Sequence, residues 1–143
     1  MTEAKNVSAP LRDPAHSPGV DWMRLENLVG TGMPDINGCL NGVETWVETK
    51  LVKGNRLRFE PTQPAWIMKR VRHGGRVFVF ARHQDTFLLW AGWPSAWTRT
   101  AKPLSDGGTS VDYRDAGPVL VIDRPYDWKL LMEVLFTRPF KSS

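Results

Sequence analysis

PDINGCLNGVETWVETKLV, Pro34 to Val52, is the stretch on which the reading of this chain turns. Asn41-Gly42 separates two runs, Asp35 to Leu40 and Val43 to Val52, and Asn-Gly between alternating segments is the strongest short-range sign of a two-residue β-hairpin. In that hairpin Leu40 faces Val43, Cys39 faces Glu44 and Asp35 faces Glu48. Ile36, Leu40, Val43, Val47 and Leu51 share one face, a stripe fit for burial. The other face carries Asp35, Asn37, Cys39, Glu44, Trp46, Glu48 and Lys50.

Working outward, residues 1–20 hold three prolines and no helical or strand period, and read as a flexible arm. The remainder, 21–143, reads as a single domain. Asp21 to Val29 has the spacing of a short helix capped by Asp21, with Trp22, Leu25, Leu28 and Val29 on one side. After the hairpin, Lys53 to Glu60 reads as a basic loop. Thr62 to His73 reads as a helix, with Pro64 in its first turn and Gly74-Gly75 ending it. Arg76 to Arg82 and Thr86 to Ala91 are strand-like and joined tightly at His83-Gln84-Asp85. Gly92 to Pro118, rich in Gly, Pro, Ser and Asp, reads as a long loop. Val119 to Ile122 is a short strand and Tyr126 to Phe136 a closing helix.

The chain has 143 residues, 41% apolar and 24% charged, which suits one domain with a real core and excludes a disordered or fibrous chain. Its single cysteine, Cys39, makes neither an internal disulfide nor a zinc cluster. No apolar run is long enough to span a bilayer, and no apolar signal core opens the chain. A cytoplasmic protein is the expectation. The net charge is +4, but it is unevenly placed: Lys50 to Gln84 holds nine Lys or Arg and one acid, Glu60. Such segregation points to a polyanion, and nucleic acid is the first partner to consider.

Two carboxylates facing each other across a hairpin, Asp35 and Glu48, destabilise it unless something neutralises them. A hard divalent cation such as magnesium does so, with waters completing its shell. Lys50, two residues beyond Glu48 on the same face, brings an ammonium beside that ion. Metal-assisted phosphodiester hydrolysis suits this set. Glu-x-Lys alone is common on solvated strand faces, so the weight rests on the register to Asp35 and on the basic belt that follows.

Pro34-Asp35, then Glu48-Thr49-Lys50, resembles the PD-(D/E)xK nuclease signature. With Gln63-x-x-Trp66 and Gly74-Gly75 the order from about Arg24 to Trp90 is similar to the VRR-NUC and Holliday-junction-resolvase-like branch, in the manner of small phage nucleases. The resemblance implies a restriction-endonuclease-like α/β core, a mixed central sheet flanked by helices. It implies Asp35 and Glu48 as ligands of Mg2+, with Mn2+ as a substitute, the Thr49 backbone carbonyl as a further ligand, and Lys50 as the catalytic lysine. Gln63 reads either as an active-site glutamine or as a helix cap. Glu26 reads either as an additional ligand or as an exposed acid. The implied activity is a DNA endonuclease selective for branched DNA, working as a homodimer. A non-cleaving nucleic-acid-binding module and a nuclease for single strands or ends stand as alternatives.

Lys53, Arg56, Arg58, Lys69, Arg70, Arg72 and Arg76 read as phosphate contacts, against the plainer reading of a solvated basic surface. His16, His73 and His83 lack metal-ligand spacing, and the glycines match no nucleotide-binding loop, so no nucleotide cofactor is expected. Trp93 and Trp97 are read as packing the long loop onto the domain in preference to stacking on a base.

Overall fold

The central hairpin forms in the register expected of it, Ile36 opposite Val47 through Leu40 opposite Val43, with Asn41 and Gly42 at φ +50° and +80° as a two-residue turn of this hand demands. The structure, a computed structural model, describes residues 2–25 and 30–142. Its main sheet has six strands in the order β1 (Asp21–Arg24), β2 (Ile36–Leu40), β3 (Val43–Leu51), β5 (Val77–His83), β6 (Thr86–Ala91) and β9 (Leu120–Ile122). The β3–β5 pair is parallel and the other four are antiparallel. This is a mixed α/β fold, a central mixed sheet flanked by helices.

The crossover between β3 and β5 contains β4 (Arg56–Phe59) and α2 (Gln63–Arg72). β4 joins β8 (Thr109–Asp112) and β7 (Lys102–Pro103) in a second, three-stranded sheet, with α3 (Ser95–Thr100) beside it. One face of the main sheet packs Ile36, Val47, Leu51, Phe78 and Phe80 against α4 (Trp128–Phe136) and the N-terminal helical segment. The opposite face packs Val77, Val79, Leu88 and Trp90 against Ile67 of α2, Leu57 and Phe59 of β4, and Trp93 and Trp97. Both faces of the sheet are therefore covered, which is usual where a strand pair is parallel.

Four segments differ from the sequence reading. The arm is not free: a π-helical turn, Ala4–Ser8, runs into α1 (Ala9–Arg12), and Val7 and Leu11 are fully buried. Two apolar residues four apart suffice because tertiary packing, not propensity, stabilises so short a helix. Asp21–Arg24 is a strand rather than the start of a helix. Gly38 lies opposite Trp22, and a Cβ there would stand 2.5 Å from the indole, so the glycine makes room for this pairing. The second half of the expected helix, including Glu26, lies outside the described residues. Lys53 to Glu60 is largely strand β4, and the 92–118 stretch is α3, β7, β8 and a short 3₁₀ turn rather than a loop.

Candidate active site

β2 begins just after the chain turns in from Pro34, so Asp35 stands immediately before the ladder, at the place opposite Glu48. Asp35 Oδ2 accepts hydrogen bonds from the Thr49 backbone N–H at 2.9 Å and from the Thr49 hydroxyl at 2.7 Å. Glu48 and Lys50 alternate with Thr49 and so point to the other side of β3, beneath α2 and β4. Both are buried, at 1% and 6% exposure. The sequence suggests an open face for them. The second sheet and α2 close that face.

Gln63, the first residue of α2, connects the pair. Its Nε2 donates to Glu48 Oε2 at 2.5 Å, and its Oε1 accepts from Lys50 Nζ at 3.1 Å and from the Glu60 backbone N–H at 2.8 Å. The side chain thus both reaches Glu48 and Lys50 and accepts from a backbone N–H just ahead of α2, where the N-cap residue, Thr62, makes no side-chain cap bond. Lys50 Nζ lies 3.7 Å from Glu48 Oε2 and 4.7 Å from the centre of the Phe59 ring. The ammonium is thus held by a carboxylate, an amide oxygen and an aromatic face.

Glu48 is left short of partners on one side. Its Oε1 is buried with no hydrogen bond, as is Nδ2 of Asn37, a residue 4% exposed on the neighbouring strand. Burial above all raises the Glu48 pKa well above its ordinary value; Lys50 opposes this and the nearby Asp35 adds to it. A buried carboxylate oxygen without a donor is costly unless a cation meets it. Hard oxygen donors on adjacent strands fit a magnesium-like ion held through two carboxylates and waters. Among the described residues, however, no group of three His, Cys, Asp or Glu side chains closes into a protein-only cage.

One acid at the site, Glu3, is not among those the sequence points to. The N-terminal helical segment brings it to the same cleft, where it senses the charges of Lys50 and Asp35. Burial raises its pKa, in part offset by Lys50. Nothing in the local sequence marks Glu3 out; only the packing of Val7 and Leu11 delivers it.

A cleft of about 310 Å³ is lined by Glu3, Asp35, Lys50, Lys53, Arg56, Arg58 and Gln63 among others. Of the basic residues named from sequence, Lys53, Arg56 and Arg58 rim it. Arg56 also bonds Ser110, and Arg58 pairs with Asp106. Lys69, Arg70 and Arg72 lie along the last turns of α2, exposed. Arg76 is different. Its guanidinium donates to the carbonyls of Val134, Leu135 and Arg138 at the end of α4, so its donors serve the fold and not an open surface.

A mixed sheet covered on both faces, with an acid before β2 and a Glu-x-Lys on the neighbouring strand, has the form of a restriction-endonuclease-like core. Among solved structures the chain is similar to Hjc of Archaeoglobus fulgidus, a Holliday junction resolvase from an archaeal hyperthermophile. The match has a TM-score of 0.51 at 12% identity and covers 80% of this chain and 87% of that one. At that identity the likeness is one of fold. No family model and no curated protein sequence matches the chain.

Proposed function

We propose that this chain is a divalent-metal-dependent endonuclease that hydrolyses phosphodiester bonds in branched or otherwise structured DNA. The observation that carries the reading is the buried Glu48 carboxylate. One of its oxygens lacks a partner, it lies beside Asp35, and Gln63 ties it to Lys50, which with Asp35 lines a cleft rimmed by Lys53, Arg56 and Arg58. The likeness to a junction resolvase supports the same direction.

In this reading Asp35 and Glu48, with the Thr49 carbonyl, hold magnesium, or manganese in its place, and Glu3 stands as a third acid in the role considered for Glu26. Held there, such an ion would supply Lewis acidity and lower the pKa of a water. Lys50 orients that water and opposes the charge that grows on the phosphoryl oxygens. Water gives its hydroxide to phosphorus and its proton to the departing sugar oxygen as one P–O ester bond breaks. Gln63 fixes Lys50 relative to Glu48. Lys53, Arg56 and Arg58 hold the backbone near the cut, and Lys69, Arg70 and Arg72 hold it further along α2. A homodimer would set two such sites for paired cuts across a junction.

The test is cleavage of an end-labelled four-way junction, a linear duplex and a single strand, in magnesium or EDTA, with wild type and Lys50→Ala. Cuts that need both the metal and Lys50, strongest on the junction, are expected. Binding without cutting in magnesium and manganese alike would overturn the proposal in favour of a non-cleaving module.

A further inference from the structure

A second cleft, of about 440 Å³, lies at the far end of α2 and is lined by Trp66, Lys69, Arg70, His73, Gly74 and Gly75. Among the described residues no acid lines it. The Arg70 guanidinium sits 4.8 Å from the centre of the Trp66 ring and 5.4 Å from that of Trp46, and the two indoles meet edge to face at 5.4 Å. Gly75 makes this possible: a Cβ there would stand 2.5 Å from Arg70 Cγ, so only glycine lets the arginine stem lie across the helix end. Trp66 and Trp46 are each only half-buried. A guanidinium and an indole thus face a basic hollow that no described side chain fills.

Two independent measures place this hollow relative to the acids. From Gln63 to Arg70 along α2 is about 10 Å at 1.5 Å per residue. From Glu48 to Trp46 along β3 is about 7 Å. A strand in a duplex advances about 3.4 Å per nucleotide, so the hollow lies within about three nucleotides of a phosphate at the acidic pair. In an intact duplex the faces of the bases are already stacked and cannot reach an indole. A base released from pairing can, and stacking on aromatic and arginine planes is how proteins hold such bases.

We propose that the Trp66–Arg70 cleft takes an unpaired nucleotide of the DNA strand, its base stacked on the Trp66–Arg70 pair and its phosphate on Lys69. This rests on the nuclease reading above and narrows it to DNA with an unpaired nucleotide near the cut. Simple phosphate binding by an exposed basic helix end is the competing account, and it gives the base no role.

The test is fluorescence anisotropy of a labelled oligothymidine strand and of an abasic strand of equal length, with the full chain in EDTA so that no cutting intervenes. Wild type should bind the oligothymidine at least about fivefold tighter, the low end for one stacked base. Trp66→Ala should bring the two affinities together. Arg70→Lys, which keeps the charge and the fold but loses the plane, should narrow the gap while leaving the salt dependence unchanged. Equal binding of the two strands by wild type, or equal weakening of both by Trp66→Ala, would overturn this inference and leave the nuclease reading standing. Failure to bind either strand would likewise overturn this inference, and the nuclease reading would rest on the junction-cleavage test alone.

Discussion

The Oε1 of Glu48 has no hydrogen-bond donor, and its carboxyl is buried beside Asp35. The same placement that suits a cation costs the metal-free protein stability. Because the folded pKa of Glu48 is raised above 4.5, the folded state takes up a proton more readily than the unfolded chain. Its contribution is therefore most favourable below that value and falls as pH rises through the raised folded pKa. Thermal unfolding in EDTA from about pH 5 to pH 8 should show a falling midpoint. Glu48→Gln should flatten most of that fall, melt above wild type at neutral pH, and lose cleavage altogether. A destabilised Glu48→Gln protein would remove the argument for a strained carboxylate. Gln63 makes a second residue-scale case. Gln63→Leu leaves Lys50 and Glu48 without their bridge and should slow single-turnover cutting by roughly 10–100-fold with little change in DNA affinity, the usual effect of losing a group that orients a metal-site residue.

Among the elements, those built on local chemistry are legible in the sequence. Asn41-Gly42 specifies its hairpin to the residue, and Pro64 with Gly74-Gly75 bounds α2 within a residue or two. Asp35, Glu48 and Lys50 come with the hairpin, since register alone aligns them. The N-terminal helical segment is not legible, because two buried side chains, Val7 and Leu11, make no period that stands out from a polar background. β4 and β8 are hidden for another reason: Arg56 to Phe59 pairs with Thr109 to Asp112, a partner some fifty residues on that no local pattern announces. Leu11→Ala should cost about 2–5 kcal/mol in urea denaturation, as for other fully buried leucines. A near-zero change would return this segment to the free arm the sequence suggests. Arg76 belongs at this scale too. With its donors on the carbonyls ending α4, Arg76→Ala should lower the unfolding midpoint and leave the salt dependence of DNA binding alone.

At the scale of the whole molecule, the basic side chains from Lys53 to Arg72 divide between the rim of the acidic cleft and the end of α2, with one helix spanning the two. Replacing Lys53, Lys69 and Arg72 together by Ala should lower the slope of log affinity against log salt by about 0.9 for each duplex phosphate no longer neutralised, read by titration from low to moderate salt. An unchanged slope would put the DNA on another surface. The single parallel pair in the sheet has a consequence of its own, in the order of assembly. The β2–β3 hairpin closes over two residues, whereas Trp46 meets Val77 only after the thirty residues between them have been brought back. Hairpins form in roughly microseconds, and pairings between distant segments come later. Asp35 and Glu48 are therefore first neighbours in open water, where their repulsion is weak. Only as α2 and β4 settle over β3 is Glu48 stripped of solvent while Asp35 stays half-exposed, so the closing of that face is the step that senses protons and cations.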